Sequence, residues 1–299
     1  ALSVLISNLL AYTLGFSREK ISAGLYGFNS LLVGLGLSSF YSAGIELLGL
    51  IVLSSILTLL ITLMLEGVLA KYGLPFLSLP FLISIWMFTL ASRDFQMLGL
   101  SQRGIYSLNE IYGVGGTWLL DIFDWWNDFP IMLSLKTYFI SLGSIFFQYN
   151  VLSGILISLG LLIYSRIAFS LSLIGFYTAY LFYIIVGANL TELNYSSIGF
   201  NYILTAIAIG GFFLVSNKSS YLWVVILTPI VAIITISLSR IVSIYSLSIY
   251  SLPFNFIVLV FVYILKLRTE PGKELALVSI QQNSPEKNLY AFENEKRRF

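Results

Sequence analysis

Gly24-Leu-Tyr-Gly-Phe-Asn-Ser-Leu-Leu-Val-Gly34 is answered later in the chain by Ile198-Gly-Phe-Asn-Tyr-Ile-Leu-Thr-Ala206. Phe28-Asn29 and Phe200-Asn201 stand 172 residues apart, and a leucine follows each phenylalanine by four positions, Leu32 and Leu204. A second pattern keeps the interval, since Ser78-Leu79-Pro80-Phe81 returns as Ser251-Leu252-Pro253-Phe254, 173 residues on. Two different patterns sharing one spacing read as two copies of a single unit.

The surroundings of these motifs decide the class. The chain is 58% hydrophobic and only 10% charged, with a mean hydropathy of +0.91, whereas a water-soluble domain has about a quarter of its residues charged. Apolar runs of bilayer-spanning length recur, so the reading is an all-α polytopic membrane protein. Histidine and cysteine are absent, which removes disulfides, thiolate nucleophiles, soft-ligand metal sites and the side chain best suited to proton transfer near neutrality. No cofactor or metal is expected, and the net charge of +2 is too small to imply nucleic acid.

Taken in order, residues 1 to 15 are apolar and Arg18-Glu19-Lys20 marks a water interface. Crossings are expected over about 21–39, 43–70 and 76–90, with Glu46 and Glu66 near the ends of the second, from where a carboxylate reaches the interface. Residues 91–130 form the largest polar insertion. It holds Arg93, Asp94, Arg103, Glu110, a Gly-Val-Gly-Gly turn at 113–116, and Asp121, Asp124 and Asp128 among Trp118, Trp125 and Trp126. Tryptophans beside acidic residues read as an interfacial belt, and the aspartate spacing is that of a solvated helix face.

Lys136–Phe147 is apolar but too short to cross, and it runs into Gln148-Tyr-Asn-Val-Leu-Ser-Gly154. Such a segment reads as a half-helix ending inside the protein, where freed backbone groups line a cavity. Crossings follow over about 151–165, 167–186, 197–215, 221–239 and 247–265. An odd number of crossings separates the two copies, so they face opposite ways in the bilayer as inverted-topology repeats. Each repeat is expected to hold about five transmembrane helices and one re-entrant half-helix. Counting back 172 residues from the half-helix passes Ala1, so the first repeat reads as truncated at its N-terminus. The organisation is then residues 1–131 for the first repeat and its loop, 132–267 for the second, and 268–299 for a polar tail or linker.

At these residues the chain resembles the urea transporter family. Gly-Leu-Tyr-Gly-Phe-Asn-x-x-Leu-Val-Gly at 24–34, the repeated Leu-x-Pro-Phe, and Phe-x-x-Asn-x-Leu-Ser-Gly at 147–154 are similar to its repeated motifs, over essentially residues 1–267. The resemblance implies a homotrimer in the cell membrane, each subunit with its own pore along the pseudo-two-fold axis. It implies that Phe28, Leu32, Phe200 and Leu204 wall that pore and that Phe147 forms an aromatic slot with Phe200. Ser78 and Ser251 take the central position where the family commonly has threonine. Ser144 stands where the resemblance puts a glutamine or glutamate, Ile145 replaces a valine, and Val151 replaces a proline.

Urea is planar, neutral and rich in N–H donors, so leaving water costs several kcal/mol unless those donors meet acceptors. Half-helix carbonyls and the Ser78 and Ser251 hydroxyls are candidate acceptors, although serines near proline also bond the preceding helix turn. The function read from this is passive urea permeation. A channel for another small neutral solute such as an amide or ammonia is an alternative, as is a membrane sensor or anchor for a domain after Phe299. No base-and-nucleophile arrangement marks an enzyme.

Overall fold

The computed structural model describes residues 1–101, 107–128, 130, 132–188, 198–269, 274–278 and 283–298. Arg103, Ser197 and Pro271-Gly272, and the side chains of Glu110, Trp126 and Asp128, lie outside the described residues. In order, the helices are α1 (Leu2–Thr13), α2 (Arg18–Ser22), α3 (Phe28–Phe40), α4 (Ile45–Ala70), α5 (Leu79–Ala91), α6 (Ser107–Asp128) and α7 (Leu133–Ser144). They continue as α8 (Val151–Tyr164), α9 (Arg166–Ile185), α10 (Phe200–Ile207), α11 (Lys218–Ser243), α12 (Leu252–Lys266) and α13 (Pro285–Arg298).

Three of these, α4, α9 and α11, are long and apolar enough to cross a membrane. At about 1.5 Å per residue the 26 residues of α4 extend about 39 Å, more than the ~30 Å of a hydrocarbon core. The charges of α4 stay near its ends, at Glu46 and Glu66. The other five expected crossings form shorter helices, with 13 residues each in α3 and α5 and eight in α10. Val151–Tyr164 has 14 residues and Leu252–Lys266 has 15, and at ~1.5 Å per residue neither reaches ~30 Å. The reasons are local: Asn150 starts α8 by accepting from Ser153 N–H, and left-handed backbone at Tyr250 with Pro253 behind it delays α12 to Leu252. The polar stretch read as a loop folds over 107–128 as a helix broken at Gly116 (φ 63°), with Trp118, Asp121, Asp124 and Trp125 exposed.

The spacing of the motifs extends to backbone geometry. Helices α4 and α11 are both 26 residues long and both begin and end 173 positions apart. Helices α5 and α12 start 173 apart, at Leu79 and Leu252. Positive φ recurs in the same register, at Gly15 and Gly187, at Gly73 and Ser246, and at Leu77 and Tyr250. For residues other than glycine that conformation costs roughly 1–2 kcal/mol, so something must hold Leu77 and Tyr250 there.

The chain divides into two compact units, 1–65 with 80–133, and 66–79 with 134–299. In the first, α1 lies against α3 so closely that a Cβ on Gly34 would come 2.5 Å from Ser3 Oγ. Ser7 Oγ donates to Ser30 Oγ across the same contact at 2.6 Å, and Ala11, Tyr26 and Leu59 form a buried core. In the second, α10 packs on α9, and a Cβ on Gly175 would come 2.4 Å from Ala206 Cβ. Position 175 is 172 residues after Ser3 and position 206 is 172 after Gly34, so the same close approach is made with the glycine on the opposite helix. Small residues serve membrane helices this way because dispersion at short range, not water exclusion, holds them together.

The tail carries more structure than its polar composition suggests. Val215 N–H donates to Ala276 O and Val278 N–H to Phe213 O, both at 2.9 Å. Glu286 Oε1 accepts from Ser165 Oγ and from Ile167 N–H, each at 2.9 Å, and so caps the start of α9 with a carboxylate where the helix dipole favours one. Burial raises the Glu286 pKa, but the hydrogen bonds from Ile167 N–H and Ser165 Oγ outweigh it and the net shift is downward. A carboxyl that titrates lower when docked than when free stabilises docking above its ordinary range and loses that contribution as pH falls through the lowered value. Amide exchange of residues 283–298 should therefore speed up, beyond its intrinsic pH dependence, as neutral solution is acidified. Glu286→Gln should show the faster exchange already at neutral pH; equal protection at both pH values would refute the role of this carboxylate.

Candidate functional site

The Ser-Leu-Pro-Phe motif begins a helix in an unusual way. A serine just ahead of a helix ordinarily accepts from a backbone N–H in the first turn. Ser251 precedes α12 and makes no such bond. The next residues show why. Pro253 has no N–H to offer, and the N–H of Phe254 is already taken by Asn201 Oδ1 of α10 at 3.3 Å. The Ser251 hydroxyl is thereby released. In the first unit Asn29 Oδ1 takes the N–H of Phe81 at 3.2 Å, again behind a proline, Pro80.

Asn201 does a second thing. Its Nδ2 donates to Tyr250 O at 2.9 Å, so one side chain grips both ends of the turn from 250 to 254 and holds Tyr250 at φ 46°. Neither Asn29 nor Asn201 was singled out from sequence, although both stand in the quoted motif; the signal was their recurrence at one interval beside a proline-started helix.

The released hydroxyls meet. Ser78 Oγ and Ser251 Oγ lie 2.7 Å apart, both nearly buried at 6% and 5% exposure, joining positions 173 residues apart in sequence. A third residue completes the cluster. Asn255, fully buried one turn into α12, donates from Nδ2 to Ser78 Oγ at 2.9 Å, to Ser251 Oγ at 3.2 Å and to Ser251 O at 2.7 Å. Its Oδ1 accepts from Ser78 N–H at 3.1 Å. Because that N–H can only donate, the amide orientation is fixed, with both amide hydrogens turned toward the serines. Sequence reading missed Asn255, whose signal is a break in the repeat: the position 173 residues earlier is Leu82.

The remaining expected residues fall into smaller groups. Helix α7 has 12 residues and ends at Ser144, whose Oγ donates back to Ser141 O at 2.7 Å. Ile145 and Phe147 lie in the turn that follows, where Phe147 adopts φ 60° and is buried, its ring edge-on to Tyr250 at 6.1 Å between centroids. The following α8 approaches so closely that a Cβ on Gly154 would sit 1.8 Å from Phe139 O. Phe200 opens α10 half-buried, and Leu204 packs one turn on against the core of the second unit. In the first unit Phe28 opens α3 at 45% exposure while Leu32 is buried. Neutral groups make up this whole set, and no cluster able to hold a metal ion occurs among the described residues.

The family model for urea transporters matches residues 1–266 of the chain. Urea transporter 1 of Mus musculus is 25% identical over 222 residues, which are 73% of this chain and 54% of that protein. Urea transporter 1 of Ovis aries is 26% identical over 263 residues, 86% of this chain and 65% of that protein, and that of Capra hircus matches to the same extent. The chain thus spans between half and two thirds of the length of these relatives.

Replacing Asn201 by leucine leaves the Phe254 N–H and the Tyr250 carbonyl without their partner in a buried turn. An unsatisfied buried group costs about 1–3 kcal/mol, so Asn201→Leu should lower the thermal unfolding midpoint in detergent by several degrees, and Asn29→Leu should do the same through Phe81. Unchanged midpoints for both variants would refute the capping role.

Proposed function

The chain belongs to the urea transporter family, and from that premise we propose that it carries urea passively across a membrane through a narrow pore centred on Ser78 and Ser251. The observation that carries this reading is the hydroxyl pair itself. Ser251 is withheld from capping its helix by Asn201 and Pro253, and its hydroxyl faces that of Ser78. A fold with no use for a hydroxyl pair would cap its helices with those serines.

Phe28, Leu32, Phe200 and Leu204 wall the pore in this reading, with Phe147 forming an aromatic slot beside Phe200 and with Ile145 and Ser144 toward one mouth. The flat faces hold a planar solute edge-on and leave no room for a hydrated ion. Transport is passive because the long helices keep their ionisable residues near their ends, Glu46 and Glu66 on α4 and Lys218 and Arg240 on α11, and offer no coupled charge at mid-depth.

We read the two motif copies as inverted-topology repeats. Support comes from the recurrence of helix limits and of left-handed residues at intervals of 172 and 173. The assembly is a homotrimer in the cell membrane, each subunit with its own path, and the protein is a transporter rather than an enzyme.

Protein reconstituted in liposomes should give urea flux well above empty vesicles in stopped-flow light scattering. Ser251→Phe, which fills the centre and removes a hydroxyl, should reduce that flux by about tenfold or more, the effect of losing one hydrogen bond of ~1.4 kcal/mol at the barrier. Phe200→Ala should leave flux but weaken exclusion of larger amides. Wild-type flux equal to that of empty vesicles would refute urea as the solute.

A further inference from the structure

Asn255 is not part of the wall, since it is wholly buried, yet it decides what the wall presents. The cluster holds two hydroxyl hydrogens and two hydroxyl oxygens. One hydrogen is spent in the Ser78–Ser251 bond, in whichever direction that bond points. The two hydrogens of Nδ2 are shared among Ser78 Oγ, Ser251 O and, at the longest distance, Ser251 Oγ, and so take up acceptor capacity on the hydroxyls. One hydroxyl hydrogen therefore remains to be directed outward, together with little spare acceptor capacity.

Such a face suits the carbonyl oxygen of a neutral amide. It opposes a planar cation, which brings N–H donors on every edge and finds an outward hydroxyl hydrogen where it needs an acceptor. The leucine at the matching position, Leu82, has no hydrogen bond to give, so this polarity comes from one half of the chain alone. We propose that Asn255 is a specificity-determining positioning residue, which acts through Ser78 and Ser251 to admit neutral urea-like solutes and to reject guanidinium, a cation of the same shape. The proposal rests on the urea reading given above.

An aspartate at 255 reverses the polarity. Its two oxygens accept from Ser78 N–H and from the serine hydroxyls, which turn their hydrogens inward, and those three donors favour the ionised carboxylate against its burial and the neighbouring Ser251 carbonyl. The cluster then shows lone pairs outward over a buried negative charge.

The test uses the intact protein in liposomes at matched incorporation, with urea and thiourea followed by light scattering and guanidinium by radiolabel uptake. Wild type should pass urea and hold guanidinium at the level of empty vesicles. Asn255→Asp should raise guanidinium uptake by about tenfold or more over that level, the effect of ~1.4 kcal/mol of charge stabilisation at the barrier. Asn255→Leu copies the residue at 82 and keeps the branched shape and the number of heavy atoms. It should leave guanidinium excluded but narrow the preference for urea over thiourea about threefold or more, because a released hydroxyl pair no longer singles out a strong carbonyl acceptor. A merely structural asparagine would lower every flux together and leave this ratio unchanged. Wild-type urea flux with guanidinium still excluded by Asn255→Asp, or with the ratio unmoved in Asn255→Leu, would overturn the proposal alone. Absence of wild-type urea flux would overturn the urea reading and this proposal with it.

Discussion

A backbone N–H at the start of a helix has no partner within that helix, and in an apolar surrounding water does not supply one. The arrangement of this protein follows from how that demand is met at Phe81 and Phe254. Each amide is taken by an asparagine from the first turn of another helix, Asn29 or Asn201, and not by the serine that precedes its own. This ties the Gly-Phe-Asn helix to the Ser-Leu-Pro-Phe helix by a bond that neither motif makes alone. The short length of α12 has the same origin. A helix started by Pro253 and held by Asn201 begins where the tertiary clamp is, instead of where the apolar run begins.

The repeat is kept where backbone is at stake and relaxed where only volume is. Left-handed residues recur at Leu77 and Tyr250 although neither is glycine, so the turn geometry is maintained against a conformational cost of roughly 1–2 kcal/mol. The close helix contact, by contrast, is made by Ser3 with Gly34 in one unit and by Gly175 with Ala206 in the other. Either helix can carry the smaller residue, because dispersion depends on the distance reached and not on which side yields. The same freedom lets Leu82 and Asn255 differ, and there the change is from an apolar side chain to a donor.

Much of this was legible in the residues. Composition gave the all-helical membrane class, and the spacing of Phe28, Ser78 and their counterparts identified residues that stand at helix starts and in the hydroxyl pair. Helix ends were less legible. Hydropathy registers an apolar run but not the turns at Phe147 and Tyr250 that interrupt it, and at Tyr250 the left-handed backbone is held by a tertiary hydrogen bond from Asn201. The tail was opaque for a similar reason. Glu286 looks like any solvated acid until Ser165 and Ile167 are brought to it. Asn255 escaped notice because a search for recurrence passes over the position where the copies disagree.

A permeation site has to compensate a solute for lost water without holding it, so its hydrogen-bonding capacity must be limited as well as present. Two free serine hydroxyls would offer two donors and four acceptor sites, enough to detain a molecule as rich in N–H groups as urea. Joined to each other and covered by Asn255, they keep one outward hydrogen and little more. In the proposed pore the buried amide thus lowers the depth of the central well, and polar groups that look like a binding site in sequence act as a shallow step. The rigidity needed for that comes from the capping scheme: only because Asn201 and Pro253 deny Ser251 its helix is the hydroxyl held where Ser78 and Asn255 can reach it.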